Sequence, residues 1–205
     1  MAMKRPTRNI TGLRWSIDTN VIIHGGTEWL LKYYEHGWIY LETPDTVEFE
    51  LSQAKDPETK ELRHKQRQVF PMPFGPAVLD QFRLDYAVLG TSEDELRLRN
   101  VHRLIWGEAT FNLDHSTNFK SRKSHHRLRD SMIISTSIRY GISALITWEK
   151  ALLSASPLLS KHYGFTVINP ETALSMAETE VARIKHMAQH ETGSFWYQAL
   201  PEWPA

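Results

Sequence analysis

Four carboxylates carry the chemistry open to this chain. Asp18 closes the run RWSID and is followed at once by Thr19 and Asn20, and Glu50 lies in PDTVEFEL, just past the run WIYL. Asp130 precedes SMIISTSIRYGISALIT, and Glu149 comes two residues after that run, in ITWEK. Each has an ordinary reading. A lone acid after an apolar run is a turn or cap residue, and Glu50 alone is an exposed helix face with Glu48 as its rival. Asp130 alone is an acid favoured by the macrodipole near a helix start. Together they read differently if the fold gathers them. Two unit charges 4 Å apart repel by about 4 kcal/mol at an effective dielectric of 20, so gathered carboxylates call for a divalent cation. Hard oxygen donors with retained waters suit Mg²⁺ or Mn²⁺. Such an ion polarises a phosphodiester oxygen and lowers the pKa of a bound water.

The surrounding pattern says how the acids could be gathered. Leu13–Asp18 and Trp38–Leu41 read as strands, with an amphipathic helix over Thr27–His36 between them and Gly37 at its left-handed end. Thr43 and Pro44 open a helix through about Ala54. Lys60–Val69 is a helix, PMPFGP a break, and Ala77–Leu89 a further helix. Ser92 with Glu95 has the form of a capping box for a helix reaching about Trp106. The polar stretch Gly107–Ser124 leads to a helix near Leu128–Tyr140, which puts Asp130 in its first turn or so. ISALIT is then a strand, a short helix ends near Tyr163, FTVIN is a strand, and Asn169-Pro170 caps a long helix. Strands alternating with helices imply an α/β fold with a parallel central sheet of about four to five strands. Right-handed crossovers place the carboxyl ends of such strands along one edge, where all four acids would meet.

At 205 residues the chain fits one domain, with a core over about residues 13–175, a helical insertion over about 56–118 and a C-terminal extension over 176–205. The 24 basic and 24 acidic side chains cancel, so attraction to nucleic acid or membrane has to be local. There is no cysteine, which excludes disulfides and thiolate metal sites. The start MAMKRPTRNITG has no apolar stretch of signal-peptide type. Arg139 and Gly141 break the longest apolar run, so it is not a membrane span. A cytoplasmic protein is expected.

The segments IDTNVII, PDTVEFEL, RLRDSMIISTSIRYGISALITWEK and GFTVINPETAL, in this order, resemble the PIN-domain nucleases. Carried over position by position, the family's acids become Asp18, Glu50, Asp130 and Glu149, with Thr19 and Thr147 as hydroxyls beside them. Asn20 is expected to brace the loop by hydrogen bonds. The resemblance implies metal-dependent hydrolysis of RNA, and many members are toxins neutralised by an antitoxin-like partner. Glu149 stands where the family has Asp, and the helical middle is longer than compact toxin members need.

NFKSRKSHHRLRD is the densest positive segment, and it abuts Asp130. Lys120, Arg122, Lys123, Arg127 and Arg129 could grip phosphates flanking the cleaved one; the plain alternative is a solvated charged loop. RHKQR, Arg63–Arg67, is a weaker second basic patch that reads more readily as an exposed helix face. Phe195, Trp196, Tyr197 and Trp203 in the tail could stack on bases, or fold back on the body or on a second subunit as a homo-oligomer contact. Ten histidines show no metal-ligand spacing beyond the pair His125-His126. A phosphatase that opens with a strand-end Asp needs a second acid two residues on, where this chain has Asn20. A third class is a nuclease-like fold kept as an RNA-binding or protein-interaction module.

Overall fold

Four short strands and eight helices alternate along the chain in a computed structural model that describes residues 9–53, 57–75, 89–107, 122–190 and 200, without the side chains at 62, 63, 66 and 122. The elements are β1 (Arg14–Ile17), α1 (Thr19–His24), α2 (Glu28–Glu35), β2 (Tyr40–Glu42), α3 (Asp45–Ser52) and α4 (Pro57–Arg67). They continue with α5 (Ser92–Trp106), α6 (Arg122–Arg139), β3 (Ala144–Ile146), α7 (Lys150–Tyr163), β4 (Thr166–Ile168) and α8 (Pro170–His190). The strands form one parallel sheet in the order β2-β1-β3-β4. Helices cover both faces, so β3 is buried at every position, as expected where neither face meets water. The core runs through Trp15, Ile17, Leu41, Leu145 and Ile146 in the sheet, and through Leu30, Val47, Ile133, Leu152 and Ala173 in the helices.

The α/β parallel fold expected from the sequence is the one observed. Several boundaries differ. The apolar residues after Asp18, for which the sequence offered no element, form a short helix that Asp18 caps: its carboxylate accepts from the Thr19 N–H at 2.7 Å. β2 begins at Tyr40, not Trp38, after Gly37 turns the chain at φ 76°. Pro44 is the cap of α3 rather than its first residue. The capping box of α5 belongs to Thr91 and Asp94, one residue before the expected pair. α6 begins at Arg122, so Asp130 sits in mid-helix and not in a first turn.

Two attachments tie the helical middle to the sheet. Pro71–Gly75 lies alongside the exit of β2, with Thr43 N–H donating to the Pro71 carbonyl at 3.0 Å and Asp45 N–H to that of Pro73 at 3.1 Å. Prolines serve here because only their carbonyls are required. Buried Glu48 of α3 pairs with Arg67 Nε at 2.6 Å and His64 Nδ1 at 2.8 Å, anchoring α4. α5 packs against α6 and α7 and adds Val101 to the core. The expected helix Ala77–Leu89, save Leu89, most of the polar stretch before α6 and the tail aromatics lie outside the described residues. Among the described residues no helix is long and apolar enough to cross a membrane.

Candidate functional site

The strand order reverses between β1 and β3: the chain leaves β1 for β2 on one side and returns to β3 on the other. In an open parallel sheet the carboxyl ends on either side of such a reversal frame the natural crevice for a ligand. Asp18 follows β1 and Thr147 follows β3, so these two residues flank it.

Their side chains meet. Thr147 Oγ1 donates to Asp18 Oδ2 at 2.6 Å and accepts from Asn20 Nδ2 and from the Glu149 N–H, each at 3.0 Å. One donation and two acceptances fill the capacity of a hydroxyl, and the fully buried Thr147 has Asp18 Oδ2 as its near acceptor and Asn20 Oδ1 as a farther one at 3.4 Å. Asn20 Nδ2 also donates to Asp18 Oδ2 at 2.7 Å, while its Oδ1 accepts from the Trp148 N–H at 3.1 Å. An aspartate at position 20 could not donate these bonds. Asn20 thus braces the exits of β1 and β3 against each other. On the opposite side Thr19 Oγ1 donates to Glu50 Oε2, bringing α3 to the same place.

The electrostatics extend the group to Asp130 and Glu149. Asp18 is 4% exposed, and its carboxyl is pushed up to about 7, by burial first and by Glu50 next, against the hydrogen bonds from Thr147 and Thr19. Asp130 is pushed up to about 9 by burial and then by the charges of Asp18, Glu50 and Glu149. Burial also raises Glu50, against the Thr19 hydroxyl and the Arg129 guanidinium. Asp18 and Asp130 resist ionising while the neighbouring acids are ionised, which requires that the four side chains share one region. Glu149 stands at its margin, exposed and capping α7 by accepting from the Ala151 N–H at 3.4 Å.

The donors are all carboxylate oxygens, the type Mg²⁺ and Mn²⁺ take. They are not pre-closed: among the described residues no three His, Asp or Glu side chains form a ready cage for a metal ion. The Asp18 and Glu50 oxygens are held instead by Thr19, Asn20 and Thr147. In chemical type the residues fit a hard divalent cation.

Glu48, the rival acid, is committed to Arg67 and His64, away from this group. Among the expected phosphate contacts, Arg129 lies over the Phe49 ring at 5.0 Å and lowers the pKa of both Glu50 and Asp130, so it counters the acids directly. Arg127 lies over the Trp106 ring at 5.0 Å, and Lys123 is exposed. Arg122 opens α6, with its side chain outside the described residues, as is Lys120 altogether. Sequence reading missed Trp148. Its N–H holds Asn20, and its indole Nε1 donates to the Gly25 carbonyl at 3.3 Å, fastening the end of α1 to the exit of β3. Its place between Thr147 and Glu149 was the available signal.

No family model, curated protein or solved structure matches the chain.

Proposed function

We propose that this protein is a metal-dependent endoribonuclease, with Asp18, Glu50, Asp130 and Glu149 as the residues that would hold Mg²⁺ or Mn²⁺. One observation supports this most: Asp18 and Asp130, far apart in the chain, are each pushed up by burial and by neighbouring acids, Glu50 and Glu149 acting on both and Asp18 on Asp130, beside the reversal between β1 and β3. A bound divalent ion supplies polarisation of a phosphodiester oxygen and a water of lowered pKa. The chain's own residues do the positioning. Thr147 and Asn20 fix the Asp18 carboxylate, Thr19 fixes Glu50, and Arg129 limits the net negative charge that an approaching phosphate meets. Lys123 and Arg127, upstream on α6, are cations for neighbouring phosphates, which makes RNA binding salt-dependent. The order of motifs resembling the PIN-domain nucleases points the same way, and with it a toxin paired with an antitoxin-like partner. An RNA substrate and a chain without cysteine suit the cytoplasm.

A second reading is a module that binds RNA or protein without cleaving. The exposed, cap-forming Glu149 and the lack of a pre-closed cage among the described residues favour it. Incubating labelled RNA with the protein and Mn²⁺ separates the two. Cleavage that EDTA and Asp18→Asn abolish supports the nuclease; RNA bound but left intact with Mn²⁺, and likewise with Mg²⁺, supports the module.

A further inference from the structure

A cavity of about 550 Å³ opens beyond the β2 edge of the sheet, lined by Arg14, Tyr40, Glu42, Arg67, Phe74 and Tyr140 among others. It is separate from the acids. Arg14 begins β1 and Asp18 follows its end, and at about 3.3 Å per residue those four steps span roughly 13 Å. Tyr140 and Gly141, past the end of α6, lie at the Arg14 end. The strap Pro71–Gly75 forms one wall, and Tyr140 Oη fastens it by donating to the Phe74 carbonyl at 3.0 Å.

We propose that this cavity is a nucleotide-binding site, its aromatic rings receiving a base, Arg14 and Arg67 the phosphate, and Glu42 the polar edge of the base. Three features lead there. Tyr40, Phe74 and Tyr140 line one opening of a size suited to a small ligand, and aromatic side chains are the groups on which bases stack. Two guanidinium groups share the wall, and guanidinium recognises phosphate by paired N–H donors. Arg14 lies over the Tyr40 ring at 5.2 Å; Arg67 meets Glu48 through Nε, while its buried Nη1 has no hydrogen-bond partner among the described residues. Finally, an acid only 2% exposed lines the same cavity: Glu42 accepts from Ser16 Oγ at 3.3 Å, and burial pushes it up to about 7. A carboxyl that takes up a proton this readily can donate as well as accept, which matches the mixed donor and acceptor edge of a base.

The ligand's base and phosphate could belong to a free nucleotide or to one residue of an RNA strand, and the test distinguishes them. Adenosine, guanosine, cytidine and uridine monophosphates are titrated calorimetrically into the full chain in EDTA. No phosphodiester bond and no metal are then present, so failure of the nuclease reading does not affect the outcome. At least one is expected to bind with Kd below about 1 mM. Arg14→Gln and Tyr140→Leu, with folding checked by circular dichroism, are each expected to weaken it by about tenfold or more, while Asp18→Asn leaves it unchanged. Displacement of the bound nucleotide by an RNA hexamer assigns the cavity to a strand, and no displacement assigns it to a free nucleotide. Absence of binding by all four, or binding that the two folded cavity variants leave unchanged, overturns the proposal.

Discussion

Asp130 illustrates what a gathered set of acids costs in stability. It is half-buried, and three other carboxylates act on it against a single opposing guanidinium, Arg129. With its folded pKa at about 9, the carboxyl is held largely neutral at about pH 8 while the unfolded chain ionises it, and asparagine keeps the shape without that cost. In EDTA at about pH 8, Asp130→Asn is therefore expected to melt at or above the wild-type temperature, while Mn²⁺-dependent RNA cleavage falls to background. A large drop in melting temperature would make Asp130 a structural acid. Glu42 gives a pH effect of definite sign. Its folded pKa, about 7, lies above the ordinary 4.5, so the folded state holds the proton more tightly. The stability this provides is complete below about 4.5 and is lost as pH rises through about 7. Glu42→Gln keeps a neutral side chain at every pH, so its advantage over wild type should grow by about 1–3 kcal/mol between pH 5 and pH 8 in urea titrations. A constant difference across that range would contradict the assignment.

Among the elements, the strap at Pro71–Gly75 is the most closely fitted. A β-carbon at Gly75 would lie 2.5 Å from Thr136 Oγ1 and 3.1 Å from Asp45 Oδ1, which itself accepts from the Gly75 N–H at 3.1 Å. Gly75→Ala should destabilise by about 1–3 kcal/mol in denaturant, and by less in a Thr136→Ala background, where the nearest obstruction is gone. Equal losses in both backgrounds would locate the strain elsewhere. At this scale the sequence is legible where periodicity is strong and silent where two registers compete. TSEDE offers Thr91 with Asp94 or Ser92 with Glu95, and both satisfy the same capping pattern. The start of α6 was hidden because RKSHHR carries no apolar stripe, and the first buried residue of that helix is Leu128. Glu48 and Glu50 are two residues apart on α3, roughly 200° around the helix, so they face opposite ways. Only the partners at Arg67, His64 and Thr19 decide which one joins the acids.

For the molecule as a whole, the parallel sheet could be read from the alternation of β-branched runs with helical spacing, because right-handed crossovers leave few ways to assemble it. That rule brings Asp18 and Thr147 to the same edge before any coordinate is known. It does not give the long-range hydrogen bonds that fix them, nor the cavity beyond β2, which depends on a proline segment reaching back to the sheet. Both arise from contacts between residues far apart in the chain with no local pattern to announce them. The claim on which the proposed activity rests is that the gathered acids share one divalent ion, and calorimetric titration of Mn²⁺ into the full chain at about pH 7.5 tests it most directly. Saturable binding that Asp18→Asn and Asp130→Asn each remove, and that Glu48→Gln retains, is the predicted result. Absence of binding, or binding that survives both substitutions, would contradict it.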